Sequence, residues 1–232
     1  MLRAASAALA FSLAALASSA QARTPIVVEL FTSQGCASCA ASADLIGDLA
    51  DRPNVLPLTF SVDYWDYLGW ADTFAKPEYA ERQRDYLKRL AVRGGGVTPQ
   101  VVVDGRLQAT ATKKDQVETL VKQARKQPHD PPDMELSPAR VVVGSGRAGK
   151  GGADVWLVRY DPAPQSVLVK QGDNRGKTVV ERNVVQELTR LGAWTGRSKA
   201  YRLPKPSAEG LKTAIIVQAA HGGRVLAVKT GA

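Results

Sequence analysis

The chain has 232 residues, 44% of them hydrophobic, with 31 Lys+Arg against 22 Asp+Glu and a net charge of +9. That length holds one large domain or two modest ones. It contains no repeat or low-complexity tract beyond its N-terminal leader, and no later apolar run long enough to cross a bilayer. The charge is uneven: from Arg23 to Met134, 14 Lys+Arg face 15 Asp+Glu, whereas from Glu135 to Ala232, 16 face 7. Two modules and a basic C-terminal surface follow from that asymmetry.

Residues 1–22 read as a secretory signal peptide. Arg3 begins it, Ala4 to Leu16 is an apolar stretch, and Ala20-Gln21-Ala22 is a small-x-small cleavage pattern. The mature protein is expected to be exported, periplasmic or secreted, with no transmembrane segment.

The first strand is Ile26 to Thr32, and Ser33-Gln34-Gly35 is a turn. The two cysteines of the chain, Cys36 and Cys39, come next. A helix is expected from about Cys36, with Leu45, Ile46 and Leu49 on its apolar face. Val55 to Val62 reads as a buried strand that Pro57 weakens. Asp63 to Trp70, followed by Phe74, is the most aromatic segment. It is either a cover over the core or a substrate-gripping surface through Trp65 and Trp70. Its carboxylates Asp63, Asp66 and Asp72 match no calcium loop, and without basic neighbours its aromatics make no nucleic-acid stacking platform. Pro77 to Ala91 has helical spacing and Gly94-Gly95-Gly96 ends it. Val97 to Val103 leads through the turn signal Asp104-Gly105 into a hairpin, and Lys113 to Lys126 is an amphipathic helix.

This β-α-β-α-β-β-α order assigns 23–127 to one domain, with 128–134, which includes His129 and three prolines, as a stiff linker. From 135 to 232, short apolar runs separated by Gly and Pro suggest a smaller, basic, sandwich-like β domain. Val184, Val185, Leu188 and Leu191 also fit a helix, against their β-branching.

A thiol at a helix start loses its proton more easily, and the thiolate is the reactive species. A bridge between Cys36 and Cys39 closes so small a loop that it adds little entropic stability, which favours a redox pair over a staple. Cys36, nearer the helix start and more exposed, is the expected attacking thiolate, and Cys39 the resolving one. Glu29, in a central strand near the site, is the candidate for proton handling at Cys39; strand alternation offers a solvent-facing side chain instead. Copper binding through the same cysteines is a second reading, although the only histidines are His129 and His221 and the only mature methionine is Met134. A third is a non-catalytic envelope protein whose basic C-terminal domain binds an anionic component. No cofactor or resident metal is expected, and with no recognisable binding motif neither is nucleic acid.

Glu29 to Cys39, with Thr98-Pro99 and Val101 to Gly105, resembles the thioredoxin superfamily. More closely, Glu29 to Cys36, Asp63 to Trp70 and Thr98-Pro99-Gln100 resemble the secreted bacterial family known as domain of unknown function 1223. The resemblance implies an α+β protein whose N-terminal domain is thioredoxin-like, a central mixed sheet flanked by helices, followed by the β-rich domain. It implies that Thr98-Pro99 is a cis peptide bond, against the trans default of X–Pro bonds, and that the Thr98 backbone pairs with an extended substrate. The expected function is thiol–disulfide exchange with exported protein thiols and disulfides. Gly35 stands where thioredoxin has Trp, Ala37-Ser38 where it has Gly-Pro, and Ala40 where the closer family has proline.

Overall fold

The computed structural model describes residues 24–93, 97–128 and 130–231. The expected signal peptide, the glycine run 94–96 and His129 lie outside them.

β1 (Ile26–Thr32) is buried along its whole length. Strands covered on both faces read as near-continuous apolar runs, and this one does except at Glu29 and its last residue, Thr32. Side-chain alternation divides it. Val27 and Phe31 join a core with Phe60, Tyr79 and Tyr86, while Ile26, Val28 and Leu30 join another with Leu45, Ile46, Leu49 and Val121. The first core lies under α2 (Pro77–Arg89), the second under α1 (Ser42–Ala50) and α3 (Lys114–Arg125). β1 pairs in parallel with β2 (Val55–Ser61) and antiparallel with β3 (Gln100–Val103), which turns into β4 (Leu107–Thr110). At that turn Gly105 has φ +62°, and a Cβ there would stand 2.3 Å from the Gly223 carbonyl oxygen, so only glycine fits.

The second half contributes β5 (Met134–Ser137), β6 (Arg140–Val143), β7 (Ala153–Asp161), β8 (Gln165–Leu168), β9 (Thr178–Glu181), β10 (Val184–Trp194), β11 (Lys199–Arg202), β12 (Lys212–Ala219) and β13 (Val225–Gly231). One eight-stranded sheet runs β13-β12-β7-β10-β2-β1-β3-β4, so strands from both sides of the linker share it. The α+β class with a central mixed sheet and an added β-rich region stands as expected. β5, β6 and β11 form a three-stranded sheet. Val141, Val143 and Tyr201 from it pack on Val155, Leu157, Ile215 and Val217 of the large sheet, with Trp194 between.

The join is at β10 and β2. Val184 pairs with Thr59, Thr59 N–H donates to Asn183 O at 2.9 Å, and Asn183 Nδ2 donates to Pro57 O at 2.7 Å. This explains why Pro57 is tolerated inside β2. Its missing N–H falls on the β10 side, where the β2–β10 ladder consists of the Val184–Thr59 pair and no donor is needed at 57. The helical reading of 184–191 is corrected: the segment is strand β10. Register shifts between Val185 and Glu187 and between Arg190 and Gly192 break its period of two, which is why its apolar spacing imitates a helix.

Candidate redox site

The site is built where β1 ends against the turn before β3. Cys36 N–H donates to Ser33 O, Cys39 N–H to Cys36 O and Ser42 N–H to Cys39 O, at 3.2, 3.1 and 2.9 Å. Cys36 and Cys39 therefore sit in consecutive turns ahead of α1, and the expected helix start at Cys36 moves to Ser42. The N–H groups of Cys39 and Ser42 are occupied by turn carbonyls instead of facing a sulfur. The two cysteines form a disulfide, Cα to Cα 5.3 Å. Both are buried, Cys36 at 1% and Cys39 at 3% exposure, so the greater exposure expected of Cys36 is absent. The exposed neighbours are Ala37, Ser38 and Val97.

What faces the Cys36 sulfur is Thr98. Its hydroxyl donates to Cys36 Sγ at 3.3 Å and accepts from Trp65 Nε1 at 2.7 Å. Ser38 Oγ lies 3.5 Å from the same sulfur. The Thr98 carbonyl oxygen is 3.8 Å from it, and the Thr98–Pro99 bond is cis. A donor relay Trp65→Thr98→Cys36 thus points positive hydrogen at the sulfur that carries charge whenever Cys36 is a free thiolate.

The aromatic segment has two uses. Trp65 stacks on Tyr67, which is 77% exposed. Trp70, expected at a substrate surface, instead turns its indole N–H to Gln34 Oε1 at 3.1 Å. Gln34 is a hub: its Nε2 donates to Thr73 Oγ1 at 2.9 Å and to Glu181 Oε2 at 3.4 Å. Its backbone N–H donates to Asp72 Oδ2 at 2.7 Å. Burial pushes the Asp72 carboxyl up, against the hydrogen bonds it accepts from the Gln34 and Phe74 N–H groups.

Three residues missed in the sequence close the site from behind. Asn174, in the β8–β9 loop and fully buried, donates to Gln34 O and Cys36 O at 2.9 Å each. Glu181, at the end of β9, shares a small cavity wall with Cys39. Burial, with the Asp72 carboxylate near it, pushes the Glu181 carboxyl up to about 8. Gln34, the third, looked like an ordinary turn residue. Asn174 and Glu181 lie more than a hundred positions away and carry no local signal.

Glu29 is not with them. It points to the α2 face, wholly buried, where Arg82 Nε and Nη2 donate to its two oxygens at 2.5 and 3.0 Å and Tyr86 OH donates at 2.5 Å. Gln218 of β12 closes the group by donating to Tyr86 OH at 2.9 Å. Neither proton handling at Cys39 nor exposure to solvent fits that position. Among the described residues no cluster of three or more His, Cys, Asp or Glu is placed to hold a metal ion, and no helix is long and apolar enough to cross a membrane.

Over residues 27–218 the chain matches the family described as Protein of unknown function (DUF1223), and it belongs to that family. Its fold is similar to the crystal structure of protein AGR_C_4864 from Agrobacterium tumefaciens, with a TM-score of 0.73 and 28% identity over 91% of this chain and 95% of that one. It is also similar to HBP35 of Porphyromonas gingivalis, with a TM-score of 0.63 over 90% of this chain and 74% of that one; at 9% identity this likeness shows fold alone. No curated protein matches the chain.

Proposed function

We propose that this family member is an exported thiol–disulfide exchange protein that acts on protein partners through Cys36 and Cys39. The observation that carries the reading is the Cys36–Cys39 disulfide with the Thr98 hydroxyl donating to Cys36 Sγ. A short-loop bridge adds little stability, whereas a donor held on one sulfur lowers the cost of a thiolate there.

The exchange runs as follows. A partner thiolate attacks Cys36 Sγ, the Cys36–Cys39 bond breaks, and Cys39 leaves with the electron pair. A second partner thiolate attacks the partner sulfur of the mixed disulfide and releases Cys36 as thiolate. The partner cysteines lose two electrons and become a disulfide; the bridge gains them and becomes a dithiol. The reverse sequence reduces a partner disulfide, with Cys36 attacking and Cys39 resolving. Cys36 is taken as the attacked sulfur because the Thr98 hydroxyl donates to it, Ser38 Oγ lies 3.5 Å from it and the exposed Ala37 and Ser38 follow it in the chain. An extended partner chain would pair with the Thr98 backbone and lie along Tyr67 and Val97, which are 77% and 55% exposed.

Replacing Cys39→Ser in the mature chain should trap covalent complexes through Cys36, seen as reducible bands on electrophoresis and assigned by mass spectrometry, while Cys36→Ser traps none. Absence of any trapped species, together with failure of the reduced wild type to react with a disulfide probe, sinks the reading.

A further inference from the structure

Each exchange needs a proton at Cys39: one arrives when Cys39 leaves the bridge, and one departs before it attacks. Glu181 lies 4% exposed, and its Oε1 has no hydrogen-bond partner among the described residues. Its Oε2 accepts from Gln34 Nε2 at 3.4 Å. Glu181 and Cys39 line one cavity of about 10 Å³, with the polar side chains of Thr32, Ser42 and Thr59 also in its wall. That is about the room of one water, and polar partners are present to hold it. An orphaned carboxyl oxygen is costly in a dry interior, so its place on this cavity is informative.

We propose that Glu181 supplies and takes up the Cys39 proton through a water in this cavity, so that β9 of the second half serves the disulfide of the first. The proposal rests on the exchange reading above. When a thiolate opens the bridge, Cys39 leaves as a thiolate, the water gives it a proton and Glu181 replaces that proton, ending as carboxylate. In the reverse step Cys39 returns the proton to Glu181 by the same route, and its thiolate attacks Cys36 Sγ of the mixed disulfide, expelling the partner thiolate. A carboxyl raised to about 8 in the bridged form holds its proton at neutral pH, which suits the opening step. The charged groups around Glu181 are Asp72, joined to it through Gln34, and Arg182, on the cavity wall. α1 packs on β9 and carries Asp44 and Asp48 on its solvent side.

The test mixes the reduced mature chain with the aromatic disulfide dithiobis(nitrobenzoate) in a stopped-flow instrument. Attack by Cys36 releases a first coloured thiolate, and attack by Cys39 on the mixed disulfide releases a second. Glu181→Gln should leave the first phase within about two-fold of wild type and slow the second about 100-fold at pH 7, with the rate recovering as pH rises toward the thiol's own ionisation. A second phase with wild-type rate and pH profile overturns the proposal. Should the variant not fold, the wild type decides. Heavy water must slow the second phase more than the first, and equal slowing overturns the proposal. Loss of both phases in the wild type defeats the exchange reading and this one with it, while a normal first phase beside an unaltered second in Glu181→Gln defeats this one alone.

Discussion

Glu29 and Glu181 are both buried carboxylates, on opposite faces of the sheet, and the protein treats them in opposite ways. Glu29 meets a guanidinium and a phenol that satisfy both of its oxygens. Glu181 meets one amide, one other carboxylate and a water-sized cavity. On the α2 side charge is compensated, and Arg82 is further packed over the rings of Phe60, Tyr86 and Trp156. On the α1 side the carboxyl is left able to bind and lose a proton. Burial alone therefore does not mark a reactive acid; burial without a cation paired to the carboxyl does.

The sharpest way to break this contrast is to measure stability against pH. The Glu181 carboxyl binds its proton more tightly in the folded chain than in the unfolded one, whose value is 4.5. Its contribution is complete below pH 4.5 and lost as pH rises through about 8. The loss is on the order of 5 kcal/mol. Asp104, raised to about 6 by burial, adds to it in the same direction over the lower part of that range. Urea unfolding of the bridged protein across this window should show the decline, and Glu181→Gln should remove its upper part. An identical profile in the two proteins would mean that Glu181 is ionised and paired after all.

On the other face the effect comes from truncation. Arg82→Ala strands the Glu29 charge and should cost about 4 kcal/mol in the same assay. The double replacement Glu29→Leu with Arg82→Met should recover most of that loss, because no lone charge remains. If the single and double variants are equally unstable, the pair is not what Arg82 contributes.

The smallest expected effect concerns the clamp between the halves. Asn174→Ala leaves the Gln34 and Cys36 carbonyls without their buried donor. It should lower stability by about 2 kcal/mol, read by thermal unfolding, and should speed reduction of the bridge by small thiols as the cysteine turn loosens. Unchanged stability and unchanged reduction would separate the second half from the site.

Much of the site's first half was legible locally. An apolar β-branched run ending in Cys36-Ala37-Ser38-Cys39 reads as a strand opening onto a thiol pair, and Thr98-Pro99 was expected beside it. The start of α1 was not legible. Cys36 to Ala41 has a composition compatible with a helix, and only the hydrogen bonds show turns there. The second half was legible as a set of strands, except the short β5 and β9, which no expected run covers, and β10, whose bulges displaced the apolar period that identifies a strand.

What the sequence determined by itself, then, was which residues lie next to one another along the chain: the cysteine pair after β1, the Thr-Pro before β3, the helices between, and the change of texture after the linker. Tertiary structure alone decided which face each side chain meets. Alternation says that Glu29 and Leu30 point to opposite faces, but it cannot say that Arg82 waits on one and Cys39 on the other. Nor can it bring Glu181 to Gln34 across 147 positions. That contact depends on β10 joining β2 in one sheet, a pairing set by the packing of both halves together.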